Sequence, residues 1–203
     1  MTTLLLARHG QTVWHDGNRY AGSSDVPLTE VGHAQARALA AWAPTARLDA
    51  VWSSTLQRAV DTARPAADAV GLPLRTDARL VEVAFGKGEG LTREEMQVVM
   101  PDALAAFTAT PASVPLPGGE PGYAAITRAA AALREICAAH PDGRVLVVAH
   151  SSLLRLVLCA LLGIDPETFR VVFPNMGNAT LTTVDLAGDG TAGLLGYNVP
   201  LPA

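Results

Sequence analysis

An α/β domain, with a mostly parallel central sheet held between helices in three α/β/α layers, follows from a pattern that occurs three times along the 203 residues. Each occurrence is a short apolar run of strand length, an abrupt polar break, and then a segment of helical period. A second observation is that the connecting segments are Ala-rich and long enough for crossover helices. A third is that the pattern loosens between residues 81 and 122, where Gly86, Gly88, Gly90 and a Pro- and Gly-rich run replace it. That stretch reads as a small lid inserted over the sheet, because it has too few apolar residues for a core of its own. Residues 1–203 therefore read as a single domain.

The elements follow in order. Thr3 to Ala7 is a continuous apolar strand that stops at Arg8-His9-Gly10. Thr29-Glu30 opens a helix over His33 to Trp42, with the Thr29 hydroxyl as its N-cap. Ala50-Val51-Trp52 is a second strand, ending in Ser53-Ser54. Leu56 to Val70 is helical in period, with Pro65 expected to start, kink or interrupt it and Gly71 closing it. Within the lid, a helical segment lies around Thr92 to Met100, followed by the Pro- and Gly-rich run from Pro111 to Gly122. The long helix Tyr123 to Ala139 precedes a third strand, Arg144 to Ala149, and a helix from Ser152 to Leu162. Thr180 to Asp185 is a further strand, and the tail from Leu194 to Ala203 adds an edge strand before Pro200 and Pro202 end it.

Composition narrows the function classes. Hydrophobic residues make up 49% of the chain and charged residues 17%, which excludes a disordered or collagen-like protein. The 15 basic and 19 acidic residues leave a net charge of −4, so a polyanion spread over the surface is not the partner. The apolar stretch from Val145 to Ile164 is broken by His150-Ser151-Ser152 and Arg155, and reads as a strand and a helix rather than a membrane span. Two cysteines, Cys137 and Cys159, make no disulfide framework and read as buried thiols. With no basic, apolar leader at Met1 to Arg8, the expected location is the cytoplasm. The low aromatic content, 5%, points to a pocket with few rings for stacking and so to a compact ligand.

In open α/β sheets, ligands bind beyond the carboxyl ends of the strands. Three such ends supply Arg8-His9, Ser53-Ser54 leading to Arg58, and His150-Ser151. Two arginines and two histidines in one crevice call for an anion, and phosphate is the natural one. Gly10 lets the backbone approach, and a carbonyl there can take one imidazole nitrogen of His9, leaving the other as a nucleophile. Taken one at a time these residues have plainer readings: His9 as a structural histidine, Arg58 as a surface residue, Glu82 as a solvated loop acid. Ser151 and Ser152 read most simply as N-caps, the alternative being that Ser151 also touches phosphate. His33 and His140 read as surface helix residues, and Glu120 as a partner that orients an arginine.

Leu5-Leu6-Ala7-Arg8-His9-Gly10-Gln11-Thr12 resembles the Arg-His-Gly motif of the histidine phosphatase superfamily, which includes cofactor-dependent phosphoglycerate mutases. Gly22-Ser23-Ser24-Asp25-Val26-Pro27-Leu28-Thr29-Glu30-Val31-Gly32 is similar to that family's G-x-x-D-x-P-L-T-x-x-G stretch. Ser53 to Ala59 with Thr62-Ala63 resembles its second arginine motif; Leu80-Val81-Glu82 with Phe85-Gly86 and Glu89-Gly90, its acidic motif; Val147-Val148-Ala149-His150, its second histidine motif. The resemblance implies that His9 attacks phosphorus and that Arg8, Arg58 and His150 hold the non-bridging oxygens. It further implies that Glu82 passes a proton to the leaving oxygen and takes one from water, and that His15, Gly22, Ser23 and Ser151 line the substrate site. Neither a metal nor a cofactor is implied, and the expected partner is a small phosphate ester; the oligomeric state stays open, a homodimer included.

Departures from the family pattern are His15 where many relatives have Asn, Ala21 before Gly22, Gly88 at a place often held by Trp, Ser151 after the second histidine, and Pro121 after Gly118-Gly119-Glu120. They surround the expected pocket, together with Phe85, Tyr123 and Met176. The expected activity is metal-independent hydrolysis of a small phosphorylated metabolite, a sugar phosphate or phosphoglycerate-like compound, through a phosphohistidine. The alternatives are a mutase-type phosphotransferase and a phospho-ligand binding protein without turnover.

Overall fold

A computed structural model describes residues 1–202; Ala203, the end of the expected tail, lies outside the described residues. Six strands, β1 (Thr2–Arg8), β2 (Ala50–Ser54), β3 (Leu74–Asp77), β4 (Arg144–Ala149), β5 (Leu181–Leu186) and β6 (Ala192–Val199), form one sheet in the order β3-β2-β4-β1-β5-β6. The pairs β3/β2, β2/β4 and β4/β1 are parallel, while β5 runs antiparallel to β1 and to β6. The mostly parallel sheet expected from the sequence is present, with two antiparallel strands at one side.

Seven α-helices join them: α1 (Glu30–Trp42), α2 (Gln57–Ala69), α3 (Arg93–Val99), α4 (Pro101–Ala109), α5 (Gly122–Ala139), α6 (Ser151–Leu161) and α7 (Phe169–Val172). Alternation along the strands divides the core into two. Leu5, Ala7, Val51, Leu146 and Val148 face α1 and α2, where they meet Leu39, Ala59, Ala63 and Ala66. Leu4, Leu6, Val145, Val147 and Ala149 face the other way, onto Leu133, Ile136, Leu154 and Leu158 of α5 and α6. Successive strand residues point to opposite faces, so a run apolar at every position is covered on both sides. This gives the three layers.

The inserted segment shares the second of these cores. Phe85, Met96, Leu104, Phe107 and Leu116 are buried in the same cluster as Leu4 and Val147. Three elements in the structure were not expected. Strand β3 is a half-exposed edge strand, Leu-Arg-Thr-Asp, with no apolar run to announce it. Helix α4 begins on Pro101, which opens a first turn as readily as it ends a preceding helix. Helix α7 is a single turn. Pro65 neither starts nor ends α2 but lies within it. Gly71, at φ +66°, closes that helix, with the Leu72 N–H donating to the Ala67 carbonyl at 3.0 Å.

The loop after β1 is pressed against the first turn of α1. Thr29 caps α1 by accepting from the Gly32 N–H at 3.1 Å and gives its own hydroxyl hydrogen to Gln11 Oε1 at 2.7 Å. A Cβ on Gly32 would stand 2.1 Å from the Gln11 carbonyl oxygen, and one on Gly10 would stand 2.7 Å from the Gly32 carbonyl oxygen. The two glycines allow backbone to lie on backbone, and so hold the segment carrying His9 in place. Gly32→Ala is expected to destabilise the protein by about 1–3 kcal/mol, the usual cost of overpacking. Urea unfolding at neutral pH measures this; an unchanged midpoint would show that the loop and α1 separate freely.

Candidate active site

Strands β1 and β4 lie side by side in parallel, with Arg8 opposite Ala149, and the His9 N–H donates to the Ala149 carbonyl at 3.0 Å. The next residues, His9 and His150, therefore leave the sheet together, and their ring centroids are 5.1 Å apart. Strand β2 pairs with the other edge of β4 and ends in Ser53-Ser54, from which α2 starts and brings in Arg58. Residues 9, 58 and 150 meet because three neighbouring strands end at one side of the sheet.

His9 is buried, and its Nδ1–H donates to the Gly10 carbonyl at 2.7 Å, which fixes the tautomer and leaves Nε2 to the cavity. Burial first, then the Arg8 and Arg58 charges, hold its pKa well below that of a free imidazole. The guanidinium charges contribute, and desolvation is the larger cause. His150, fully buried, is held down by burial, then by Arg58. Arg8 is pulled down to about 10 by burial, against the opposing charge of Glu82. Its NH1 donates to the Met176 carbonyl at 2.8 Å. Arg58 donates to the carbonyls of Ser24 and Gly22 at 2.6 and 2.7 Å. Among the described residues, the buried Nε atoms of both arginines and both ring nitrogens of His150 have no partner. Buried polar atoms left unpaired cost about 1–3 kcal/mol each, so four of them around one histidine suit an oxyanion.

The expected roles of several residues change. His15 Nε2 lies 2.6 Å from Arg8 NH2 and accepts from it, while Nδ1 faces the Thr12 N–H at 3.0 Å and Thr12 Oγ1 at 2.9 Å. Burial and then the Arg8 charge bring its pKa down to about 4, so the ring is neutral near neutral pH. Ser151 and Ser152 do not cap α6. Glu82 does: its carboxylate accepts from the N–H groups of Ser152 at 3.0 Å and Leu153 at 2.8 Å, and of Val83 at 2.9 Å. A carboxylate at a helix N-terminus takes up free amides and meets the positive end of the dipole. Glu82 is thus buried and fixed rather than solvated, with Oε1 taken by two amides and Oε2 by one.

Gly22 supplies a carbonyl to Arg58, while Ser23 is exposed and gives both its N–H and hydroxyl to Glu89. Ser24 does the same, and the Phe85 N–H adds a further donor at 3.1 Å. Glu89 is therefore the hub of the loop that braces Arg58. Burial opposes its ionisation, but the Ser23 and Ser24 hydrogen bonds outweigh it and the pKa falls. Nothing in local spacing assigns it that work. Asn178, also missed, donates to the His9 carbonyl at 2.8 Å from the loop before β5. Arg128 pairs with Glu120 at 2.8 Å, as expected of Glu120, and donates to the carbonyls of Arg79, Val81 and Glu82. His140 is half-buried rather than on the surface, with a buried Nε2.

Arg8, His9, His15, Gly22, Arg58, Glu82 and Ser151 line one cavity of about 340 Å³. Phe85 and Met176 form part of its wall as expected, but Tyr123 stands outside it at 44% exposure. The expected scarcity of rings does not hold: Trp14, Tyr20 and Phe85 all line the cavity. Among the described residues, no group of three or more His, Cys, Asp or Glu is placed to hold a metal, and no helix is long and apolar enough to cross a membrane.

A three-layer α/β domain with a buried, neutral histidine between two guanidiniums at the strand ends defines an enzyme class built to bind oxyanions at nitrogen. The chain belongs to the histidine phosphatase superfamily (branch 1), whose family model matches residues 4–199. It is 33% identical over 169 residues to phosphoserine phosphatase 1 of Hydrogenobacter thermophilus, covering 83% of this chain and 80% of that one. It is 34% identical over 192 residues to glucosyl-3-phosphoglycerate phosphatase of Mycolicibacterium vanbaalenii, covering 91% and 84%. A solved mycobacterial glucosyl-3-phosphoglycerate phosphatase complexed with VO3 superposes with a TM-score of 0.88 at 31% identity, over 98% of this chain and 99% of that one.

His15 titrates at 6.5 when free and at about 4 in the fold. A pKa depressed by folding contributes stability that is complete above 6.5 and is lost as the pH falls from 6.5 towards 4. His15→Asn removes this titration, and the fall in Tm across that window is expected to be shallower than in the wild type. Thermal unfolding in matched buffers measures it, and parallel Tm profiles would contradict the assigned burial of the ring.

Proposed function

We propose that this protein hydrolyses phosphate monoesters of small metabolites in two steps through a phosphohistidine on His9. The observation that carries the reading is the buried His9 ring, locked through Nδ1 to the Gly10 carbonyl and flanked by Arg8 and Arg58. In the first step Nε2 of His9 attacks phosphorus; the N–P bond forms as the bond from phosphorus to the ester oxygen breaks. The developing charge on the three non-bridging oxygens falls to the unpaired nitrogens of Arg8, Arg58 and His150. Glu82 gives a proton to the leaving oxygen. Oε2, which accepts from one amide only, has the lone pair free to carry it. In the second step water attacks phosphorus, Glu82 takes its proton, and the N–P bond breaks to release phosphate and neutral His9.

The guanidiniums supply the positive charge that a metal ion supplies in other phosphoryl-transfer sites, which supports a metal-independent reaction. The relatives named above are phosphatases of small phosphorylated metabolites, and the cavity of about 340 Å³ suits a ligand of that size. Two buried, free cysteines accord with a reducing compartment such as the cytoplasm.

His9→Ala is expected to abolish both turnover and the acid-labile phosphoenzyme trapped by rapid quenching; a labelled phosphoenzyme in this variant would place the nucleophile elsewhere. Arg58→Ala is expected to lower kcat/KM by two to three powers of ten, about 3–4 kcal/mol, as for loss of one oxyanion donor. Glu82→Gln should slow alkyl phosphates much more than p-nitrophenyl phosphate, whose leaving group needs no proton. Equal slowing of both would remove Glu82 as the acid. Activity is expected to survive EDTA, and its loss with recovery on added Mg²⁺ would refute a metal-free mechanism.

A further inference from the structure

Five arginines line the cavity, against a single carboxylate, Glu82, in a protein with 19 acidic residues. Arg8 and Arg58 are accounted for by the reacting phosphate. Arg19 is neutralised: Glu95 meets it with two hydrogen bonds, at 2.7 and 3.1 Å. Arg155 and Arg170 have no such partner. Among the described residues neither has an acidic group within 4.0 Å.

Arg155 lies one turn into α6, and its Nε donates back to the Ser151 carbonyl at 3.1 Å, so its guanidinium is tethered next to the residue that follows His150. Its NH1 reaches the Phe173 carbonyl at 3.1 Å, and among the described residues its NH2 has no acceptor. Arg170, on α7, makes no side-chain hydrogen bond among the described residues. It is held by stacking alone, 4.4 Å from the Phe107 ring centroid and 5.2 Å from that of Phe169. Arg155 stands over the same Phe169 ring at 5.0 Å. Two guanidiniums thus share one aromatic support, both on the wall of the cavity that holds His9.

Stacking fixes where these groups sit, but it does not offset two like charges brought together away from water. Burial lowers the pKa of both; the Glu82 charge opposes this at Arg155, while the charge of Arg155 lowers Arg170 further. We infer that Arg155 and Arg170 form a second anion site, which binds a carboxylate or a second phosphate on the same substrate molecule whose ester phosphate is attacked by His9. Planar guanidiniums with free N–H groups match both anions. This specificity site rests on the phosphatase reading and narrows its substrates to phosphate esters with an additional negative group.

The test compares kcat/KM of the purified protein for glycerate 3-phosphate, with a carboxylate, fructose 1,6-bisphosphate, with a second phosphate, and glycerol 3-phosphate, with neither; p-nitrophenyl phosphate reports the chemistry alone. At least one of the doubly anionic esters is expected to exceed glycerol 3-phosphate by about tenfold or more, as charge-assisted hydrogen bonds would give, and which one does so identifies the anion. Arg155→Gln and Arg170→Gln, made separately, should each bring that ratio down towards one, mainly through KM. Arg170→Lys should restore part of it. A wild-type ratio of one, or the same proportional loss on charged and uncharged esters, would overturn the second site while leaving hydrolysis in place. Failure to cleave all four compounds would instead remove the phosphatase reading, and this inference with it.

Discussion

Positive charge gathered out of water at the ends of three strands is the condition to which the rest of this site answers. Arg58 and the two histidines are buried beside a half-buried Arg8, and desolvation weighs against every proton they hold. Both imidazoles respond by staying neutral, which is what a nucleophilic nitrogen requires. The arginines cannot respond in that way, so the backbone compensates them, through the carbonyls of Gly22 and Ser24 on Arg58 and that of Met176 on Arg8. Carbonyl dipoles steady a guanidinium without cancelling its charge. The site stays attractive to phosphate for that reason.

The carboxylates nearby are placed so as not to cancel it either. Glu82 is turned onto the first amides of α6, and Glu89 onto the Ser23 and Ser24 donors of the loop behind Arg58. One carboxylate is thereby kept at the cavity, where the proposed proton transfer needs it, and the other becomes a support for the loop that shapes it. The Arg128–Glu120 pair serves the same end from outside, because Arg128 ties down the carbonyls of the segment leading to Glu82. Further along the wall, Arg155 and Arg170 repeat the pattern of guanidiniums without acidic partners, over a Phe169 ring rather than carbonyls alone.

Much of the fold was legible because buried parallel strands are apolar at every position and stop abruptly. β1, β2 and β4 could be read that way, and with them Arg8, His9, Arg58 and His150. Strand β3 could not, since a half-exposed edge strand of four residues has no such run. Helix α4 was hidden by Pro101, a residue equally at home after one helix and at the start of the next. Ser151 and Ser152 were misread as caps for a similar reason. Local sequence offers a serine hydroxyl to the helix, whereas the group that takes the amides comes from Glu82, far away along the chain.

Residue order alone thus determined the three-layer class, the strand ends, and the set of residues proposed for phosphoryl chemistry, because burial and periodicity are local properties of a chain. Only the tertiary structure decided which of them touch. It turned His15 into an acceptor for Arg8, and made Glu89 the anchor of a loop more than 60 residues earlier. It also set three aromatic rings around the cavity of a protein with few of them, and placed Arg155 and Arg170 against one Phe169 ring with no acidic group within 4.0 Å among the described residues. These are pairings between distant segments, and their charge balance depends on distances and desolvation that exist only once the sheet has brought those segments together.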